Sequence, residues 1–266
     1  MLSRVFAISK GKPVPNTPGM PGMPGMNGGA HSVPLWNTLG AWAVFAWVIL
    51  MWAAVAGLAF ANRGTKRMSV YNASMAVIVL GVVAQIAHFA EHVAQAVYWI
   101  GHPEAPSWMT PIGSGLAKGF GRIDTSRPTL GMELLHLMGN FLFLAGLAAV
   151  MVITRRARNT QTRRWGTMGV WMQGIHGVEH LALTLSVWLG AKQAIGLSTW
   201  FGTLTPGPGA TTYRVWWHAL ANLMGTCIFA MALWNLRRER GQICDSFRET
   251  PVTPPITPLA PVPALN

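Results

Sequence analysis

The sequence predicts an all-α integral membrane protein with five transmembrane helices. Hydrophobic residues make up 51% of the 266 residues and charged residues only 11%, whereas charged residues average roughly 25% in soluble domains. The hydrophobic residues fall in five blocks, each close to the ~20 residues that a spanning helix needs. Two pairs of these blocks also share polar motifs. We therefore expect spans at 35–60, 74–100, 131–153, 167–189 and 215–236.

The chain before the first span is rich in Pro, Gly and Asn. Residues 1–34 contain Pro-Gly-Met three times, and because such a composition cannot bury a core, we expect a flexible tail. Met20, Met23, Met26 and His31 would suit a metal-capture arm for copper, since thioether and imidazole groups bind this metal. The alternative is a low-complexity tail that happens to contain methionine.

Basic residues predict the orientation of the spans. They flank the ends that would share one side of the membrane: Arg63, Lys66, Arg67, Arg155, Arg156, Arg158, Arg163, Arg164, Arg237, Arg238 and Arg240. By the positive-inside rule this side is cytoplasmic, so the N-terminus lies outside and the C-terminus in the cytoplasm of a multi-pass protein of the cell membrane. Because the basic residues mark span ends, the net charge of +12 does not indicate nucleic acid.

Spans two to five are predicted to be a duplicated helical hairpin. The motif Gln-x-x-His-x-x-Glu-His occurs at 85–92 and again at 173–180, and His136 and Asn140 recur as His218 and Asn222. We therefore expect a first repeat at 74–158 and a second at 167–240, packed as a four-helix bundle with the first helix outside it. The Pro-rich tail at 241–266 is predicted to be disordered.

Polar residues form one stripe on each predicted helix. At 100° per residue, the Gln, the Glu and both His of a motif fall within about 120° of arc, and the His and Asn of spans three and five lie four residues apart on one face. Ionisable residues inside spans are costly, face the bundle interior and pair, bind ions or relay protons. Glu133 lies one turn before His136, and its counterpart is Val215, so the halves differ.

The doubled histidine set predicts a metal site in the outer half of the bilayer. Copper or iron fits such ligands, with a dinuclear centre as one form, and zinc or haem b ranks lower. The expected metal ligands are His88, Glu91, His92, His136, His176, Glu179, His180 and His218. The residues expected to support them or to relay protons are Gln85, Glu133, Asn140, Gln173 and Asn222.

The arrangement of the six histidines resembles the paired sites of type-3 dicopper proteins, the hemocyanins and tyrosinases. In each half two histidines lie four apart on one helix and a third lies on the next helix. The resemblance implies two triplets that hold two coppers and bind oxygen. The interposed glutamates, Glu91 and Glu179, also allow a carboxylate-bridged di-iron centre like that of ferritin-like bundles. Both are similarities of site geometry.

Three functions remain open from the sequence. The first is a membrane metalloprotein that binds oxygen or performs redox chemistry, and its enzymatic form would be a metal-dependent oxidoreductase. The second is a protein that handles or transports copper or another metal. The third is a proton-relay or haem-binding subunit of a larger membrane complex. The expected partners are the lipid bilayer, a metal ion and other membrane subunits, without nucleic acid. No nucleotide-binding loop or nucleophile motif suggests other chemistry.

Overall fold

The computed structural model describes residues 33–64, 67–105 and 108–248, and every regular element within these ranges is helical. The predicted metal-capture residues Met20, Met23, Met26 and His31 lie outside the described residues. The helices are α1 (Leu35–Gly64), α2 (Met68–Gly101), α3 (Pro111–Phe120), α4 (Leu130–Thr154), α5 (Thr160–Trp188), α6 (Pro208–Arg238) and α7 (Arg240–Ser246). Two 3-10 turns, Gly121–Ile123 and Leu197–Thr199, lie in the loops before α4 and α6.

Four helices, α1, α2, α4 and α6, are long and apolar enough to cross a membrane. They indicate a membrane protein and confirm the all-helical prediction. The remaining long helix, α5, has 29 residues but a more polar composition, and its role as a fifth span stays a prediction. Its first turns carry Arg163 and Arg164, which lower its hydropathy.

Three of the long helices begin earlier than the hydrophobic blocks predict. The helices α2, α5 and α6 begin at residues 68, 160 and 208, whereas the blocks begin at 74, 167 and 215. A hydropathy pattern marks only the apolar part of a helix, whereas capping sets its ends. Asn159 caps α5 by accepting a hydrogen bond from the Gln161 amide at 2.8 Å, and Pro208 occupies the first turn of α6.

The helices α2, α4, α5 and α6 form a four-helix bundle. In order around the bundle, α2 packs on α4, α4 on α5, α5 on α6, and α6 on α2. Close contact between α2 and α4 requires glycine, because a Cβ added to Gly81 would lie 2.5 Å from the Gly146 Cα. The rings of Phe143 and Phe229, with centroids 5.3 Å apart, fill the core between α4 and α6.

Helix α1 packs outside the bundle, mainly against α3 and α4. The indole nitrogen of Trp52 donates to the Phe141 carbonyl at 3.1 Å and fixes α1 to the middle of α4. Near its amino end, α1 lies against α3, where a Cβ on Gly119 would overlap the Asn37 carbonyl oxygen at 2.0 Å. The outer position predicted for the first helix agrees with this packing.

The two ends of the bundle differ in character. The basic end contains the carboxyl end of α1, the amino end of α2, the α4–α5 connection and α7. The cap end contains the segments at 102–105, 108–129 and 189–207, which include α3 and both 3-10 turns. All six histidines of the two repeats lie in the half of the bundle nearer the cap end, as the order of residues along each helix requires.

Residues 241–248 differ from the prediction of a disordered tail. They form most of α7 and the turn after it, in which Ile243 and Phe247 are buried. The guanidinium of Arg156 lies 4.2 Å from the centroid of the Phe247 ring and donates to the Asn62 side chain at 2.5 Å. These contacts order the segment, whereas 249–266 lie outside the described residues.

Candidate metal centre

Six histidines meet inside the bundle near the cap end. Helix α2 supplies His88 and His92, and α4 supplies His136. Their ring centroids are 4.6 Å apart for His88 and His92, 5.3 Å for His92 and His136, and 6.2 Å for His88 and His136. We call this set the first triplet.

The second triplet has nearly the same geometry. Helix α5 supplies His176 and His180, and α6 supplies His218. The corresponding centroid distances are 4.8, 4.9 and 6.0 Å, so each agrees with its counterpart in the first triplet to within about 0.4 Å. The structure thus brings together all six of the predicted histidines in two matching sets.

The triplets are also in contact with each other. The rings of His92 and His218 are stacked with centroids 5.6 Å apart, and those of His136 and His180 are stacked at 5.7 Å. The equivalence of the triplets pairs His92 with His180 and His136 with His218, so these two contacts are equivalent to each other. The six rings therefore form one continuous cluster.

Hydrogen bonds to the backbone set the tautomers of two of these rings. His136 Nδ1 lies 2.9 Å from the Met132 carbonyl oxygen, and His218 Nδ1 lies 2.7 Å from the Arg214 carbonyl oxygen. A carbonyl oxygen can only accept, so Nδ1 is the protonated nitrogen of the neutral ring and Nε2 carries a free lone pair. This is the state in which an imidazole binds a metal through Nε2.

Half of the ten remaining ring nitrogens are buried without a partner, whereas His88 Nε2 and His92 Nε2 lie 3.3 Å apart in a hydrogen bond with each other. Fully buried atoms without a hydrogen-bond partner in the described part of the chain include His92 Nδ1, His176 Nε2, both nitrogens of His180 and His218 Nε2. Leaving a buried polar atom unsatisfied costs roughly 1–3 kcal/mol. These five atoms, one in the first triplet and four in the second, include donors and acceptors, since a neutral imidazole carries one N–H and one lone pair. Each of them needs a partner that the described residues do not supply.

The ring spacing suits ligands around a metal ion, although the ring nitrogens do not all point to one common position. With metal to nitrogen distances of about 2.0–2.1 Å, the centroids of two ligating imidazoles lie roughly 4.5–6.4 Å apart, which spans the distances above. Among the described residues, however, no group of three or more His, Cys, Asp or Glu is arranged to hold a metal ion. Coordination would require rotation of the imidazoles within the cluster.

The predicted glutamate ligands lie beside the cluster but bind other groups. Glu91 accepts hydrogen bonds from the Thr110 amide at 2.9 Å, from the Thr110 hydroxyl and from Gln95 at 3.2 Å. Glu179 accepts from the amides of Leu197 and Ser198, both at 2.7 Å. The two carboxylates thus tie the cap segments to the histidine-bearing helices, and we leave them out of the candidate ligand set.

A glycine lies against each of these carboxylates. A Cβ on Gly113 would lie 2.9 Å from the Glu91 carboxylate, and a Cβ on Gly196 would lie 2.7 Å from a Glu179 oxygen. Each glycine follows an isoleucine, at Ile112 and Ile195. This repeated Ile-Gly pair is a sequence signal for the two anchoring points that motif analysis missed.

Glycine also makes room for the first triplet itself. A Cβ on Gly139 would lie 2.6 Å from His88 Nδ1. Any side chain at this position of α4 would displace the imidazole.

Amide side chains form a layer between the cluster and the apolar core. Gln173 donates to the Asn140 side-chain oxygen at 2.6 Å, while Gln85 donates to the Thr226 hydroxyl at 2.9 Å. Asn140 and Asn222 donate to the carbonyl oxygens of His136 and His218. The amide residues predicted to support the site therefore lie beside it, fixing the backbone that carries two of the rings.

Glu133 forms the ion pair at the cap end of the cluster. Arg214 Nη2 lies 2.9 Å from Glu133 Oε1, and the Glu133 side chain is only 1% exposed. Glu133 Oε2 has no hydrogen-bond partner among the described residues. Glu133 stands out in the sequence as a carboxylate one turn before His136, whereas nothing in the sequence indicates that Arg214 on α6 would meet it.

Comparison with known proteins matches the chain to a protein family. The model of a family of unknown function, DUF6008, matches residues 25–260, a range that contains all seven helices and both triplets. No curated protein and no solved structure matches the chain.

Proposed function

The chain belongs to the DUF6008 family, whose function is unknown, and from the site itself we propose that it is a membrane metalloprotein that binds copper in the six-histidine cluster. The observation that carries this proposal is the meeting of six histidines in two triplets of matching ring spacing. Five buried imidazole nitrogens in this cluster, one in the first triplet and four in the second, have no partner among the described residues. Each triplet would hold one copper ion, which makes the site dinuclear.

The imidazole-only donor set favours copper over iron. Carboxylates with histidine suit iron, but the oxygens of Glu91 and Glu179 already accept hydrogen bonds from the cap segments. Imidazole alone suits copper and zinc, and copper binds more tightly to a given nitrogen site in the divalent series. Two adjacent coppers also supply redox chemistry and oxygen binding, which zinc does not.

The packing of the cluster disfavours haem. A haem with two axial histidines needs its macrocycle between the two ligating rings. In this bundle the centroids of rings from opposite halves are 5.6–6.0 Å apart, and the other histidines occupy the plane that a porphyrin would fill. A small ion fits the space between the rings without separating the helices.

We further propose that α5 is the fifth membrane span and that the cap end lies on the outer side of the cell membrane. The side of α5 that faces away from the bundle is apolar, with Trp171, Ile175 and Val178 all at least 60% exposed. The side chains of Gln173, His176, Glu179 and His180 are buried against the bundle. The low average hydropathy of α5 thus reflects a polar inner face. The arginines at the basic end would then face the cytoplasm, and copper would reach the cluster from outside the cell membrane.

Proton relay explains the structure less well. A relay needs carboxylates in hydrogen-bond contact with the imidazoles. Within the described residues, the hydrogen bonds of Glu91 and Glu179 go to the cap segments and to Gln95. A protein that handles copper without catalysis would use the same copper site. The metal-capture residues that would favour this function lie outside the described residues.

Copper stoichiometry tests the proposal. The protein would be produced with added copper and purified in detergent, and copper per chain would be measured by mass spectrometry. We expect two coppers per chain, falling to one in His92→Ala and in His180→Ala. The matched control is His102→Ala, which removes an exposed histidine in the cap and should leave two coppers.

A well-folded protein that stays free of copper under these conditions would overturn the proposal. Folding would be checked by circular dichroism and size-exclusion chromatography for every variant. Equal copper loss in His102→Ala would also count against it, because adventitious surface binding would then account for the metal.

A further inference from the structure

The two halves of the cluster carry opposite charges at the cap end. With the offset of 82 that relates His136 to His218, Glu133 corresponds to Val215 and Arg214 corresponds to Met132. The first half therefore has a carboxylate where the second has an apolar residue. The second half has a guanidinium where the first has a thioether.

The backbone around these residues is the same in both halves. His136 Nδ1 bonds to the Met132 carbonyl, and His218 Nδ1 bonds to the Arg214 carbonyl, at 2.9 and 2.7 Å. The side chains at these two positions differ in charge. The backbone thus holds His136 and His218 alike, and the difference at their cap side is electrostatic.

Each charge lies next to the histidine of its own helix. Side chains three and four residues apart are neighbours on a helix surface, so Glu133 is adjacent to His136 and Arg214 to His218. Helical side chains lean toward the amino end, and α4 and α6 both begin at the cap end. Both side chains thus extend toward the cap side of the cluster, each from the helix that carries a histidine of its own triplet, and their charged groups meet there.

The ion pair leaves part of the carboxylate free. Arg214 engages Glu133 Oε1 at 2.9 Å, while Glu133 Oε2 is buried and has no partner among the described residues. Arg214 is 26% exposed and so is partly screened by water, whereas Glu133 is 1% exposed. The negative charge therefore acts more strongly on the interior than the positive charge does.

We propose that the two triplets are unequal cation sites. His88, His92 and His136, beside Glu133, form the tighter site and fill first. His176, His180 and His218, beside Arg214, form the weaker site and fill second. This inference rests on the proposed copper site and assigns an order to its loading. For unit charges a few ångströms apart at an effective dielectric of about 20, the dissociation constants should differ by about tenfold or more.

The test is a copper titration of the purified, copper-free protein with a competing chelator of known affinity. The wild type should show two binding steps. His180→Ala should retain only the tight binding step, and His92→Ala should retain only the weak binding step. The double variant Glu133→Val and Arg214→Met gives each position the residue of its counterpart, and it should bring the two dissociation constants to within about threefold.

Two further variants separate charge from folding. Glu133→Gln keeps the shape of the side chain and should weaken the tight step about tenfold without changing the stoichiometry. Asp124→Asn removes a carboxylate from an exposed part of the cap and should change neither step. The double variant avoids the unpaired buried charge that Arg214→Met alone would leave.

The possible outcomes distinguish this inference from the proposed function. If the wild type binds no copper, the proposed function fails. If two coppers bind with equal affinity, or with unequal affinities that the double variant does not change, the site stands and its assigned order fails. If the wild type binds only one copper, and His92→Ala and His180→Ala both lose it, the cluster is one shared site and both the two-copper stoichiometry and the order fail.

Discussion

Replacing Glu179 by glutamine separates an anchoring role for this residue from a metal-binding role. The carboxylate accepts two backbone hydrogen bonds, from the amides of Leu197 and Ser198, both at 2.7 Å. Hydrogen bonds to a charged group contribute roughly 1.5–3 kcal/mol each, against about 0.5–1.5 kcal/mol for neutral ones. A glutamine keeps one acceptor and turns its NH₂ group toward the other amide, so the variant should lose about 2–4 kcal/mol of local stability.

Hydrogen exchange followed by mass spectrometry measures this loss. A decrease of about 2–4 kcal/mol raises the population of the open segment roughly 30-fold to 1,000-fold, and exchange of the amides in 197–199 should accelerate accordingly. Glu91→Gln should have the same effect at Thr110. Glu104→Gln, an exposed residue of the same end of the molecule, is the matched control and should change neither segment.

A loss of copper without faster exchange would contradict the anchoring role of Glu179. If Glu179→Gln left exchange at 197–199 unchanged while the copper content fell, the carboxylate would be a metal ligand, as the sequence motif first suggested. Retained copper together with faster exchange would support the anchoring role. Both measurements use the same purified sample, so a folding defect would appear in each of them.

Two glycine substitutions test the packing. Gly139→Ala places a Cβ 2.6 Å from His88 Nδ1. It should therefore abolish copper binding at the first triplet and leave one copper per chain. An unchanged stoichiometry of two would show that the His88 ring can move aside freely. Gly81→Ala places a Cβ 2.5 Å from the Gly146 Cα, where backbone cannot yield without separating α2 and α4. We expect a loss of about 1–3 kcal/mol, seen as a lower Tm in detergent, whereas Gly57→Ala, with open space around it, should leave Tm unchanged.

The sequence predicted the histidine cluster because helical periodicity alone decides which side chains share a face. Gln85, His88 and His92 lie on one stripe of α2, and burying polar groups in the bundle interior then requires that the stripes meet. The packing of α1 outside the bundle followed from its position outside the repeat. The agreement of ring distances between the triplets could not be read from spacing, since it depends on the packing of four helices.

The glutamates show where sequence reasoning stopped. Glu91 and Glu179 lie on the same stripes as the histidines, so periodicity places them near the site but cannot say what their oxygens bind. Their partners, Thr110 and Leu197 with Ser198, are 18–19 residues farther along the chain, in loops whose course depends on tertiary packing. Likewise, Phe247, just after α7, is buried beneath the guanidinium of Arg156, a contact that no local pattern in the tail indicates.

X-ray absorption spectroscopy at the copper edge identifies the atoms bound to the metal and so is the decisive experiment on the six-histidine site. We expect about three nitrogen neighbours per copper at roughly 2.0 Å, with the multiple scattering typical of imidazole. In His92→Ala the signal from one copper should be lost. Sulfur neighbours at about 2.3 Å, or copper with no imidazole scattering, would contradict this expectation, because the metal would then lie outside the six-histidine cluster.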